Sequence, residues 1–316
     1  MRTITISFLT LACVLAAGCG PAQQPAARDD FSGRPIEVVA TTSMIADLVT
    51  QVGGDRVVTT GLMGPGIDPH LYKASEGDVI RMAGADVIFY NGLHLEGKMT
   101  EVFDQMRRRG VPVYPVAEGI DEARLLASPD YAGNYDPHVW FDVALWQAAA
   151  EAVADRLAAL DPPHAARYAA NAQAYRTRLD SLDAYVRAQT QRVPEAQRVL
   201  ITSHDAFGYF GRAYGFEVRG LQGISTAAEA GTGDVQDLAR FVAERRIPAL
   251  FVESSVSPRG IEAVREAVRA RGADVQIGGT LYGDALGDPG TPAGTYVGMV
   301  RSNIDTIVRS LVGGEV

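Results

Sequence analysis

The sequence predicts an α/β protein of two lobes with parallel sheets, joined by one long rigid helix. Three observations predict it: one set of apolar runs alternating with helical ones from residue 36, a second such set from residue 198, and an uninterrupted striped stretch between them. In the first set, "IEVVATT" (36–42), "VVTTGLM" (57–63), "DVIFYNG" (86–92) and "VPVYPV" (111–116) read as short buried strands. "MIADLVTQV", "EGDVIRMAG" and "GKMTEVFDQMRRRG" between them have helical spacing. Strand–helix alternation of this kind implies parallel strands covered on both faces by helices. The second set has "RVLITS" (198–203), "FEVRGL" (216–221), "PALFVES" (248–254) and "DVQIGG" (274–279), with helices expected over 234–245, 259–272 and 295–312.

Between the sets, residues 161–194 place Tyr168, Ala172, Tyr175, Leu179, Leu182 and Val186 at spacings of 4, 3, 4, 3 and 4, a single apolar stripe along a helix. Pro162 and Pro163 suit a first turn, where a missing N–H costs nothing, and Pro194 ends the run. About 29 residues at a rise of about 1.5 Å make a rod of about 43 Å, long enough to pass from one lobe to the other. The expected organisation is a first lobe over 36–160, the linking helix over 161–194 and a second lobe over 195–316, with a cleft between the lobes.

The N-terminus has a different texture. Arg2, the short apolar core "ITISFLTLACVLAA" and the small residues before Cys19 have the layout of a secretory signal. "LAAGC" resembles a bacterial lipoprotein cleavage box, with Ala16 where Leu is usual, so Cys19 is the expected lipidation site. Residues 20–35, rich in Pro, Ala and Gln, read as a flexible tether. With Cys13 lost on cleavage and Cys19 acylated, the mature body has no free thiol, which excludes disulfides, thiolate metal sites and cysteine nucleophiles. The net charge of −9 argues against a nucleic-acid surface. The expected location is outside the cytoplasmic membrane, anchored by lipid.

Ligands of open parallel sheets bind beyond the carboxyl ends of the strands. Four residues fall there: His70 after the strand at 57–63, His138 before the helical run from Val139, His204 directly after "RVLITS", and Asp284 beyond the strand at 274–279. Three imidazoles and a carboxylate suit a borderline divalent ion. Zn²⁺ takes such donors tetrahedrally, and a bidentate carboxylate raises the coordination number enough for Mn²⁺. Two of the histidines follow Asp-Pro, in "GIDPHLY" and "YDPHVWFD". Proline fixes its own φ and holds the preceding residue extended, so each Asp-Pro is a stiff mount. Asp68 and Asp136 are expected to orient the imidazoles from behind, and Glu253 and His94 to support the site at two other strand ends.

The blocks "GLMGPGIDPHLYKASEGDV", "ADVIFYNGLHLEGKM", "YDPHVWFDV", "SHDAFGYFGRAYGFEVRGLQGIST", "FVESSVSPR" and "GTYVGMVRSNIDTIV", in this order, resemble the cluster A-I (cluster 9) metal-binding proteins of ABC transporters, TroA-like. The resemblance covers essentially the whole mature chain. It implies two (β/α)₄-type lobes joined by a backbone helix, and one Zn²⁺ or Mn²⁺ ion between them as cargo. The ligands it implies are His70, His138, His204 and Asp284, and the partners are a membrane permease and a cytoplasmic ATPase, served by a monomeric carrier. His204 stands where manganese-type, adhesin-like relatives carry Glu. Residues 95–137 contain no histidine, so the His-rich loop of many zinc-dedicated relatives is absent. A zinc-dependent hydrolase on the same residues is an alternative, but catalytic zinc keeps a position for water that a fourth protein ligand would fill. A surface adhesin is another, for which the sequence holds no motif.

Overall fold

A computed structural model describes residue 31 and residues 33–128 and 133–313. The signal segment 1–19, with Cys19, and most of the tether lie outside the described residues. The first sheet has four parallel strands, β1 (Ile36–Ala40), β2 (Val57–Gly61), β3 (Val87–Tyr90) and β4 (Val113–Pro115), in the order β2-β1-β3-β4. The chain therefore reverses direction across the sheet between β1 and β3, and the crevice at such a switch point opens at the strands' carboxyl ends. Three helices connect them: α1 (Ser43–Gly53), α2 (Glu76–Ala83) and α3 (Thr100–Arg108). Thr42 caps α1 by accepting from the Ile45 N–H, and Ser75 with Asp78 forms a capping box on α2.

Helix α4 (Val143–Leu160) opens on an Asp142 cap, and α5 (Ala165–Thr190) is the long helix expected from the stripe. It spans 26 residues, about 39 Å. The Pro162–His164 segment before it is a 3₁₀ turn, and the helix ends short of Pro194. His164 is half-buried and sits 3.0 Å from Asp161. All six residues of the predicted stripe are buried.

The remaining strands are β5 (Val199–His204), β6 (Glu217–Gln222), β7 (Ala249–Glu253) and β8 (Gln276–Leu281), with helices α6 (Gly208–Tyr214), α7 (Thr232–Arg245), α8 (Arg259–Ala270) and α9 (Tyr296–Val312). Among the described residues they form two parallel pairs, β5-β6 and β7-β8, rather than one continuous ladder. The register of β7-β8 shifts at Leu250/Phe251, and Gly279 at φ 145° supplies a backbone that a side chain would oppose.

The strands alternate faces with period two, and the cores follow. Val38, Ala40, Val87 and Phe89 point to one hydrophobic cluster, whereas Val39 and Ile88 point to a second with Met82, Phe103 and Met106 of the outer helices. Leu200 and Phe251 likewise join the first cluster, whereas Val199, Ile201 and Leu250 join a third with α7 and α8. The first cluster is shared. It runs along α1, α4, α5 and α9 and takes residues from both strand sets. Polar bonds from α5 reach both as well: Asn171 donates to the Val52 carbonyl at 2.9 Å, and Tyr185 to Asp305 at 2.6 Å.

Leu182 is fully buried in this shared spine. Leu182→Ala is expected to lower unfolding stability by about 2–5 kcal/mol, the range for a cavity that relaxes only in part. Urea denaturation would read it, and a loss below about 0.5 kcal/mol, as for an ordinary surface site, would contradict a load on this stripe.

Candidate metal centre

The four expected residues meet. His70 lies on the loop after β2, His138 precedes the 3₁₀ turn Val139–Phe141, His204 is the last residue of β5, and Asp284 follows β8. One ligand atom of each lies within 4.8 Å of all the others. His70 Nε2 is 3.3 Å from His138 Nε2. Asp284 turns Oδ1 toward His138 Nε2 at 3.4 Å, and Oδ2 toward His204 Nε2 at 3.2 Å and His70 Nε2 at 4.0 Å. A tetrahedral zinc with bonds of about 2.0–2.1 Å has donor–donor edges of about 3.3 Å, so three of these spacings match it as they stand. Relative exposures are 6% for His70, 0% for His138 and His204, and 1% for Asp284. Buried polar atoms are normally hydrogen-bonded, yet His204 Nε2 and both Asp284 oxygens have no hydrogen-bond partner. Such donors fit a cation.

Each Asp-Pro-His closes the same small turn. Asp68 Oδ1 accepts from the His70 N–H at 2.8 Å, and Asp136 Oδ1 from the His138 N–H at 2.9 Å. The two then differ. Asp136 Oδ1 is also 2.7 Å from His138 Nδ1, which leaves Nε2 free to face the centre. Asp68 instead turns its second oxygen to the Thr226 hydroxyl at 2.6 Å, so it holds the backbone of His70 and not the ring. Glu253 backs His204: Oε1 accepts from the His204 N–H at 2.9 Å, and Oε2 lies at ion-pair distance from Nδ1, 2.8 Å, outside hydrogen-bond geometry.

His94 is exposed, at φ 65°, and does not belong to the four-residue group. The buried residue of that loop is Glu96. Its Oε1 accepts from the Asn91 N–H and the Thr41 hydroxyl, both at 2.7 Å, and Asn91 Nδ2 donates to the Pro137 carbonyl at 3.0 Å. Glu96 thus fixes the turn that braces the peptide before His138. Sequence reading chose His94 for its residue type; the available signal was an acid at a strand end with backbone N–H groups to receive. Trp140 was also missed. Its ring meets His138 edge-on at 5.2 Å, and its Nε1–H donates to the Gly283 carbonyl at 3.1 Å.

Residues 38–310 match the family described as ZnuA, the periplasmic component A of a zinc-uptake complex. The zinc-binding protein TroA of Treponema pallidum (strain Nichols) is 52% identical over 303 residues, covering 95% of this chain and 97% of TroA. The manganese-binding lipoprotein MntA of Bacillus subtilis (strain 168) is 44% identical over 311 residues, covering 98% of this chain and 100% of MntA. The solved structure of the periplasmic zinc-binding protein TroA from Treponema pallidum matches with a TM-score of 0.85 at 53% identity, over 88% of this chain and 99% of that one.

Electrostatics make the site a competitor for protons. Burial pushes His70 down to about 3, so it is neutral at pH 7. Burial also opposes charge on His138, but Asp136 and Asp284 outweigh it and hold the imidazole up to about 9. For His204, burial is likewise outweighed by Asp284 and Glu253, and the value rises well above the usual one. Asp284 lies well below the usual carboxylate range: burial would raise it, but His204 and His138 prevail. Without a cation, His138 and His204 therefore carry protons at pH 7 that a metal must displace. Apparent metal affinity is expected to rise from about pH 5 to about pH 9, by up to tenfold per pH unit for each proton released. Calorimetric titration in buffers of different ionisation enthalpy checks this; equal affinity at both ends of the range would contradict histidine ligation.

Proposed function

We propose, from the premise that this chain belongs to the ZnuA family of periplasmic zinc-uptake components, that it captures one divalent transition-metal ion outside the cytoplasmic membrane and delivers it to an ABC importer. It is a solute-binding protein and not an enzyme, its partners being a membrane permease and the ATPase that drives it. The ion is cargo, held by His70, His138, His204 and Asp284. The observation that carries the assignment is the convergence of four buried ligand atoms within 4.8 Å, with His204 Nε2 and both Asp284 oxygens lacking any hydrogen-bond partner. Asp136 and Glu253 orient two of the imidazoles, and Asp68 holds the backbone of the third. Acylation at Cys19 would tether a monomeric body to the membrane face, with lobes over 36–160 and 195–316 on either side of the linking helix. Among the described residues no helix is long and apolar enough to cross a membrane.

Zn²⁺ and Mn²⁺ are both candidates. Relatives at 52% and 44% identity are named for zinc and for manganese respectively. Asp284 points one oxygen to each side of the site, an arrangement that serves a four-coordinate ion and also allows a fifth donor. Any such N/O site binds Zn²⁺ more tightly than Mn²⁺ in isolation, so supply as well as affinity decides the load in the cell.

Native mass spectrometry of metal-stripped protein, offered equimolar Zn²⁺ and Mn²⁺, tests the site. One ion per chain is expected, with Zn²⁺ in excess, and His70→Ala and His204→Ala are each expected to weaken retention at least about tenfold. Undiminished binding in both variants would reject the ligand set.

A further inference from the structure

We infer that Trp140 is a positioning residue that sets the Asp284 carboxylate against His138, through its indole N–H bond to the Gly283 carbonyl. The inference rests on the four-ligand reading and adds a residue that touches no metal. Trp140 is 1% exposed and stands two places after one ligand, while its hydrogen bond falls on the peptide just before another, 143 residues away in the chain. Its own carbonyl accepts from the Tyr296 hydroxyl at 2.7 Å, which anchors the residue to α9.

The need for such a brace comes from Gly283. A Cβ there would run into Glu253 Oε2, so a side chain at this position would displace the carboxylate that backs His204. Glycine has wide φ/ψ freedom, and rotation about its backbone swings the Asp284 carboxylate through the site. The oxygens of that carboxylate have no hydrogen-bond partner and face the imidazoles of His138 and His204, at 3.4 and 3.2 Å. The indole N–H, donating to the carbonyl between Gly283 and Asp284, removes this freedom from one side, and Glu253 closes the other. The same indole packs its edge on His138 at 71°. One rigid side chain thereby spaces a histidine ligand from the carboxylate ligand.

Trp140→Phe keeps an aromatic ring beside His138 and deletes the N–H donor. It is expected to bind Zn²⁺ about 10–100-fold more weakly than the wild-type protein, as losses behind a metal site do. The Co²⁺-loaded variant is expected to show altered visible ligand-field bands, because the carboxylate binds in a changed mode. Trp146→Phe, which removes the other of the two tryptophans, is expected to keep wild-type affinity and the wild-type Co²⁺ spectrum. A Trp140→Phe protein with both properties unchanged overturns the inference and leaves the ligand set standing. Failure of the wild-type protein to bind any metal would overturn the ligand set, and the inference with it. Should Trp140→Phe not fold, the indole ¹⁵N–H signals of the wild-type protein decide, assigned with Trp146→Phe. The Trp140 signal is expected to exchange slowly with solvent and to shift on Zn²⁺ loading, and a fast-exchanging or unmoved signal overturns the inference.

Discussion

A carboxylate buried without a hydrogen-bond donor is the constraint on which this structure turns. Asp284 is 1% exposed and neither of its oxygens is hydrogen-bonded. Removing such a charge from water costs several kcal/mol unless opposite charge is brought to it. The structure brings it through imidazoles that are themselves backed by acids, so that Asp136, His138, Asp284, His204 and Glu253 form a continuous chain of alternating character. A divalent ion held among these residues would replace protons on the histidines and supply the positive charge directly. Metal binding and protonation at these histidines would then be two sides of one electrostatic balance.

That balance requires the four donors to stay where they are, and the fold provides for it. Each donor sits at or just beyond the end of a strand or immediately before a helical turn. Strands β1, β3, β5 and β7 are largely buried, while β2, β6 and β8 are more exposed, and separate outer cores flank one shared core along α1, α4, α5 and α9. A long helix is packed within the shared core and hydrogen-bonded to α1 on one side and α9 on the other. Rigid mounts reduce the ordering entropy that binding has to overcome. The same rigidity explains why the residues behind the ligands are buried acids and aromatics, which have few rotamers or many partners.

Much of this was legible in the residues. The positions of all eight strands were readable as apolar runs, though β2, β6 and β8 are more exposed than such runs imply, and the stripe on α5 was readable as spacing alone, because burial imposes period 3.6 on helices. The four residues that converge were legible because residue type coincides with position, at a strand end or, for His138, just before a helical turn. The repeat of Asp-Pro-His was also visible, but its asymmetry was not: whether an aspartate turns to its histidine's ring, as Asp136 does, or to Thr226, as Asp68 does, depends on a neighbour distant in sequence. Glu96, Trp140 and Gly283 escaped for the same reason. Their roles lie in contacts between segments far apart in the chain, and nothing local to "NGLHLEGKM" separates exposed His94 from buried Glu96. The division of the later strands into two pairs was equally hidden, since it rests on ladder geometry that apolar runs do not encode.

The most direct measurement is the anomalous difference density of crystals of the zinc-loaded protein, collected on either side of the zinc absorption edge. One peak is expected, about 2.0–2.2 Å from Nε2 of His70, His138 and His204 and from an oxygen of Asp284. A peak that misses any of the four, or zinc held only by surface groups such as His94, would contradict a single buried site built from both halves of the chain.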